Sequence, residues 1–131
     1  MADILKEIIK VLPAGKISDA AYEAANIVLY TKDKDYFLNN KGTIREAVKQ
    51  FKKRIELRPD PSVCMEMEKA KKAIKKIIPD EAGAQEFIFD APRSQVIIHA
   101  DKPGVVIGKQ GEILKEIKAK TMWVPLIKRN P

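Results

Sequence analysis

The sequence predicts an α/β chain of the α+β kind, made of two tandem copies of one helix–strand–strand–helix–helix–strand unit. Three observations carry that expectation. The first is an internal repeat, the feature to seek before any other. KEIIKVLP (6–13) resembles KAIKKIIP (72–79), and NIVLYTKDKDYFLNNKGTIREAV (26–48) resembles QVIIHADKPGVVIGKQGEILKEI (95–117). The second is that breakers and apolar positions match in order: Pro13 with Pro79, Gly42 with Gly111, Ile44 with Ile113, Val48 with Ile117. The third is composition. The chain has 131 residues, 45% hydrophobic and 33% charged, which suffices for one ordinary domain or two small ones and is too apolar for disorder.

Each unit opens with an amphipathic helix, 3–12 in the first copy and 65–78 in the second, stopped by Pro13 and Pro79. Two β-rich runs follow, 17–31 and 84–100. Ala24-Ala25-Asn26 splits the first and Asp90-Ala91-Pro92-Arg93 the second. A short helix, a tight turn and a longer helix come next, the longer ones at 43–53 and 111–120. A last strand closes each unit, RIELRP (54–59) and MWVPLIK (122–128). The segment PDPS (59–62) punctuates the join, and Pro61 with Ser62 suits a helix start. The expected domains are 1–60 and 61–131.

Charge and composition exclude several classes. The longest apolar runs are a few residues, too short for a transmembrane helix. The opening stretch MADILKEIIKVLP mixes acidic and basic residues, unlike a secretory signal. Cys64 is the sole cysteine, so no internal disulfide forms and a reducing cytoplasm is the natural location. A net charge of +7, with a pI near 9.5, favours a polyanionic partner. That charge is spread evenly over both units, with no basic tail.

The stretch GVVIGKQGEILKEI (104–117) interrupts helical spacing with two poor helix formers, Gly108 and Gly111. A four-residue turn there exposes the N-terminus of the second helix, whose first amides lack intrahelical partners and attract an anion. Glycine at both ends permits a sharp turn and lets a phosphate backbone approach without a Cβ between. Lys109 adds a mobile positive charge and Gln110 offers its amide. Ile107 and Ile113, with Val106, can floor a groove for unstacked bases. A single-stranded nucleic acid needs that combination. The spacing Gly-x-x-Gly alone is common, and glycine can serve a helix joint only for geometry.

The string VIGKQGEILKEI, within its helix–strand–strand–helix–helix–strand unit, resembles the KH domain of the prokaryotic, type II topology. The likeness extends through NIVLYTKD, RIELRPDPSV, IIPDEAG and WVPLIKR. Together these resemble the N-terminal tandem KH region of the archaeal CPSF-like β-CASP ribonucleases, over essentially the whole chain. The resemblance implies a non-catalytic module that recognises single-stranded RNA, U-rich strands included. It would deliver RNA to a zinc-dependent nuclease core in the same full-length protein, acting in 3′-end processing and transcription termination beside the transcription machinery. Zinc would belong to that core, and this chain would carry no cofactor, meet no membrane and not itself be an enzyme. The ending Lys128-Arg129-Asn130-Pro131, without cap or polar tail, suggests truncation.

The first copy departs from the pattern. Its tetrad reads Asn39-Asn40-Lys41-Gly42, without the leading glycine. Asparagine can adopt the left-handed conformation and so preserve the turn, but Tyr36 and Phe37 are bulkier than Val105 and Val106. The first unit is therefore expected to be a degenerate KH fold. Elsewhere, His99 reads as a packed or edge strand residue, Cys64 as core filler, and Phe87, Phe89 and Trp123 as core aromatics. Lys69, Lys71, Lys72, Lys75 and Lys76 read as a solvated basic run spread round one helix. Arg93, at a strand-to-strand tip, could reach a phosphate and could equally be an ordinary exposed turn residue. Two alternatives stay open: a protein-docking module with little RNA binding, and single-stranded DNA as ligand.

Overall fold

The computed structural model describes residues 3–131; Met1 and Ala2, which begin the amphipathic opening stretch, lie outside the described residues. The chain divides into two compact units, residues 1–62 and 63–131. The first runs α1 (Ile4–Val11), β1 (Asp19–Glu23), β2 (Asn26–Thr31), α2 (Lys34–Leu38), α3 (Thr43–Phe51), β3 (Ile55–Pro59). The second runs α4 (Met67–Ile77), β4 (Ala84–Asp90), β5 (Gln95–Ala100), α5 (Pro103–Ile107), α6 (Glu112–Thr121), β6 (Val124–Arg129). Both follow the helix–strand–strand–helix–helix–strand order expected from the sequence.

Each unit holds one three-stranded mixed sheet, ordered β1-β2-β3 and β4-β5-β6. The first two strands pair antiparallel through a short connection. The last pairs parallel with the central strand, which demands a long crossover. The two-helix segment is that crossover, so the turn between its helices is carried on a packed scaffold. Registers repeat: Ile27 lies opposite Ile55, and Val96 opposite Pro125.

The opening helices bury equivalent residues. Ile8 and Leu12 are 0% and 5% exposed, and their counterparts Ile74 and Ile78 are likewise 0% and 5%. In the first unit they join Ile27, Leu29 and Ala47; in the second they join Val96, Ile98, Val106, Ile117 and Trp123. The aromatic expectations hold: Trp123 packs edge-on against Phe89 with centroids 4.9 Å apart, and its Nε1–H donates to the Met65 carbonyl at 2.7 Å. Phe87 packs partly buried against the same core.

The helix start that Pro61 and Ser62 suit is a short 3₁₀ turn, Pro61–Val63, and α4, expected from 65, begins at Met67. Glu66 is the cap. Its carboxylate accepts from the amides of Glu68 at 3.2 Å and Lys69 at 3.0 Å, satisfying donors that a helix start leaves orphaned. The Lys69 amide first, then the Glu68 amide, hold this carboxyl below its ordinary pKa. A depressed carboxyl contributes stability above its unfolded pKa and loses it as pH falls through the folded value. Acid titration of Glu66→Gln against the parent is expected to show a smaller drop in melting temperature below about pH 4 in the variant. Identical acid limbs would discount the cap.

The outer sheet faces differ. In the first unit Arg58, 4% exposed, lies opposite Tyr30 in register. It donates to both Glu23 carboxylate oxygens at 2.6 and 2.8 Å and also binds Glu56. Burial works against this guanidinium's charge, but Glu23 and Glu56 outweigh it and hold the group more firmly protonated than usual. In the second unit the same face carries a cross-strand row of Ile88, Ile97 and Leu126.

Candidate nucleic-acid interface

α5 starts on Pro103, whose missing N–H suits a first helical turn, and stops at Gly108. Gly108 has φ 76 and ψ 178, a region essentially closed to other residues. Gln110 (φ 54) and Gly111 (φ 72) are also left-handed, and Gly111 caps α6. Three positive-φ residues within four positions reverse the chain abruptly. A Cβ on Gly108 would lie 2.9 Å from Ile113 Cγ1 and 3.1 Å from Glu112 Cγ, whereas one on Gly111 would meet nothing within 4 Å. The first glycine is required by backbone and packing, the second by backbone alone.

Amide accounting defines what the turn offers. The Gly108 amide donates to Gly104, the Gly111 amide to Gly108 at 3.4 Å, and the Glu112 amide to Lys109. No acceptor among the described residues engages the amides of Lys109 or Gln110. Both side chains are exposed, and Lys109 has no ion pair among the described residues. Lys109, Gln110, Glu112 and Lys115 border a shallow hollow of about 500 Å³. Ile107, the last residue of α5 before the turn, is 38% exposed, while Ile113 is partly buried against the core.

Six of the seven residues singled out from the sequence therefore cluster at one turn. Arg93 does not join them. The ten residues of α6 span about 15 Å and run from the turn to Thr121, after which Val124 bonds the Ser94 carbonyl. Arg93 sits at that far end, exposed and paired with Asp90 at 3.4 Å.

The equivalent turn in the first unit has a different chemistry. Asn39 is not left-handed as expected but extended, with φ −149 and ψ 94; Lys41 and Gly42 take the positive φ values. The Asn39 side chain accepts from the Lys41 amide at 3.1 Å, and that of Asn40 from the Gly42 amide at 3.0 Å. These Asx turns satisfy internally the amide of Lys41, the counterpart of Gln110, and that of Gly42, the counterpart of Gly111. The hollow beside it, about 370 Å³, is lined by Asp33 and Asp35 as well as Lys16 and Lys41. Lys16 is committed to Asp33 in an ion pair, which, with the Tyr36 amide, holds the Asp33 carboxyl below its usual range. The paired asparagines were the sequence signal for this self-capping. Leu38, at the position of Ile107, is also exposed, at 47%.

The residues set aside are structural in this fold. The Cys64 thiol donates to the Met122 carbonyl at 3.2 Å. His99 is a half-buried strand residue whose Nδ1 has no hydrogen-bond partner among the described residues. Among the described residues no group of three or more His, Cys, Asp or Glu could hold a metal, and no helix is long and apolar enough to cross a membrane.

The asymmetry between the glycines predicts an ordering. Gly108→Ala is expected to cost about 1–3 kcal/mol from its backbone region alone, with the Ile113 contact added. Gly111→Ala should cost about 1–2 kcal/mol. Urea unfolding of the two variants checks this; an alanine at 108 tolerated as well as one at 111 would contradict the turn geometry.

Comparisons with known proteins agree with this fold. The profile described as "Transcription termination factor FttA, KH domain" matches residues 1–64, and the profile "KH domain" matches residues 69–121. Curated relatives named Transcription termination factor FttA include the protein of Methanocaldococcus jannaschii, 44% identical over 132 residues, covering 100% of this chain and 20% of the relative. That of Methanococcus maripaludis is 44% identical over 88% of this chain and 18% of the relative, and that of Thermococcus kodakarensis 40% identical over 98% and 21%. The chain spans about a fifth of the length of the curated relatives it matches. With matching profiles on both halves and the same six-element order in both units, the chain belongs to the KH-domain family as a tandem pair.

Proposed function

We propose that the chain is the RNA-recognition region of an archaeal transcription termination factor and that it holds single-stranded RNA at the Gly108–Gly111 turn of its second unit. The observation that carries this reading is the pair of unclaimed amides at Lys109 and Gln110, beside an exposed aliphatic residue and two lysines. Gly108 and Gly111 permit close approach of the sugar–phosphate backbone, Lys109 meets a phosphate, and Gln110 donates its amide. Ile107 and Ile113 support the bases. Arg93, far from the turn, is at most a contact for a distant part of a longer strand.

The relatives' name and greater length extend the reading. The module delivers RNA to a β-CASP nuclease core in the same full-length protein, in transcription termination and 3′-end formation in the cytoplasm. Any zinc belongs to that core. A second reading, protein docking to a nuclease or polymerase, is favoured for the first unit by its self-capped turn and its two carboxylates.

Fluorescence anisotropy with a short U-rich RNA, across a salt series, tests the RNA reading. A KH groove clamps about four nucleotides, and each neutralised phosphate contributes about −0.7 to the log–log salt slope. A clearly negative slope, of magnitude up to about 3, is expected. Affinity indifferent to salt would leave docking as the better account. An equal-length DNA competitor resolves RNA from single-stranded DNA.

A further inference from the structure

The basic run of α4 is not spread evenly round the helix once the fold is built. Lys69, Lys72 and Lys76 line one groove, and α6 contributes Lys120 and Glu116 from its opposite wall. Met65, Ala73 and Ile77 line it as well, giving it apolar surface within a volume of about 540 Å³. None of the four ammonium groups has an ion pair among the described residues.

Helix stability accounts for part of this arrangement: Lys76 lies in the last turn of α4, where a cation is favoured, and Lys69 and Lys72 favour the charged Glu66 cap. Lys69 nevertheless lies in the first turn of α4, where a cation opposes the helix dipole. Lys69 with Lys72, and Lys72 with Lys76, are like-charged neighbours at helical spacing, which is unfavourable. An external polyanion would offset both penalties. The groove also adjoins the turn: Lys115 borders the turn's hollow and the next residue, Glu116, lines this groove. From Gly111 to Lys120 the rise along α6 is about 13–14 Å.

We propose that this groove is a second contact for the backbone of the same single strand that the Gly108–Gly111 turn holds. The proposal rests on the RNA-binding reading above. The strand leaves the turn along the exposed side of α6, and its phosphates meet Lys120, Lys69, Lys72 and Lys76 in a basic track of the kind that follows a single strand. The apolar residues accommodate a sugar or a base face. Continuity with the turn favours RNA over an acidic protein segment, which the same charges would attract.

The test uses the 131-residue chain, a U-rich RNA of about four nucleotides that fills only a KH loop, and a strand three times as long. In one variant Lys69, Lys72, Lys76 and Lys120 all become Gln. A charge-matched control changes Lys6, Lys10, Lys49 and Lys53, exposed residues of the first unit, to Gln. The groove variant is expected to keep its thermal melt and short-strand affinity. It should lose about tenfold or more for the long strand, with a salt slope shallower by about 0.7 per lost phosphate contact. The control should lose markedly less, and Glu116→Gln should bind the long strand more tightly. Equal losses in groove variant and control would overturn the proposal, as would an unchanged long-strand affinity; the latter would leave the groove to an acidic protein. Loss of both strands by the parent itself would instead remove the RNA reading, and this proposal with it.

Discussion

Replacing Lys109 and Gln110 together by Asp is expected to abolish most RNA affinity while leaving the fold intact. The two carboxylates would stand at the point of closest backbone approach, and like-charge juxtaposition there costs several kcal/mol, so a loss of about a hundredfold or more is anticipated. Folding should be almost unaffected. Both side chains are exposed, acidic residues near a helix start are favoured by about 0.3–1 kcal/mol, and aspartate tolerates the left-handed backbone at position 110. The matching change of Asn40 and Lys41 to Asp should weaken binding modestly, because the amides of Lys41 and Gly42 are already claimed by side chains. Thermal melts and RNA titrations of both variants decide the matter. Binding lost at 40/41 and retained at 109/110 would place the site in the wrong unit.

The largest effect on stability is expected at the centre of the second unit. Ile98 is fully buried among Ile74, Val106, Ile117 and Trp123. Ile98→Ala should cost about 2–5 kcal/mol and Ile98→Val about 0.5–1.5 kcal/mol. A unit of this size holds only a few kcal/mol in total, so the alanine variant should be near its unfolding midpoint without denaturant. Trp123 is the sole tryptophan and lies in this core, so its fluorescence reports the second unit directly during urea unfolding. Equal midpoints for the alanine and parent proteins would show that this contact set does not hold the unit together.

Much of this was legible in the residues. Pro13 and Pro79 end their helices within a residue or two because proline cannot continue a helix, and Ile8 and Ile74 recur at the same buried place because the repeat preserves helical spacing. The breaks at Ala24–Ala25 and at Asp90–Arg93 separate strands as expected. Gly108 announced its turn because its backbone region admits little else. The start of α4 was legible to within two residues, 65 against Met67; its cap was not, because the sequence does not state which side chain reaches the orphan amides.

What the sequence determined by itself was local: which residues repeat, where helices stop, and which turn needs glycine. These follow from dihedral preference and from spacing along one element. What tertiary structure decided was which residues from different elements share a surface. Asn39 could have been left-handed; it is extended instead, its side chain bonds the Lys41 amide, and that of Asn40 bonds the Gly42 amide. Arg93 and Lys109 were both candidates to meet a phosphate, and α6 separates them along its length. Three of the five clustered lysines of α4 became one wall of a groove only because α6 brings Lys120 to face them, and the field between two helices depends on their packing, which no spacing within either helix encodes.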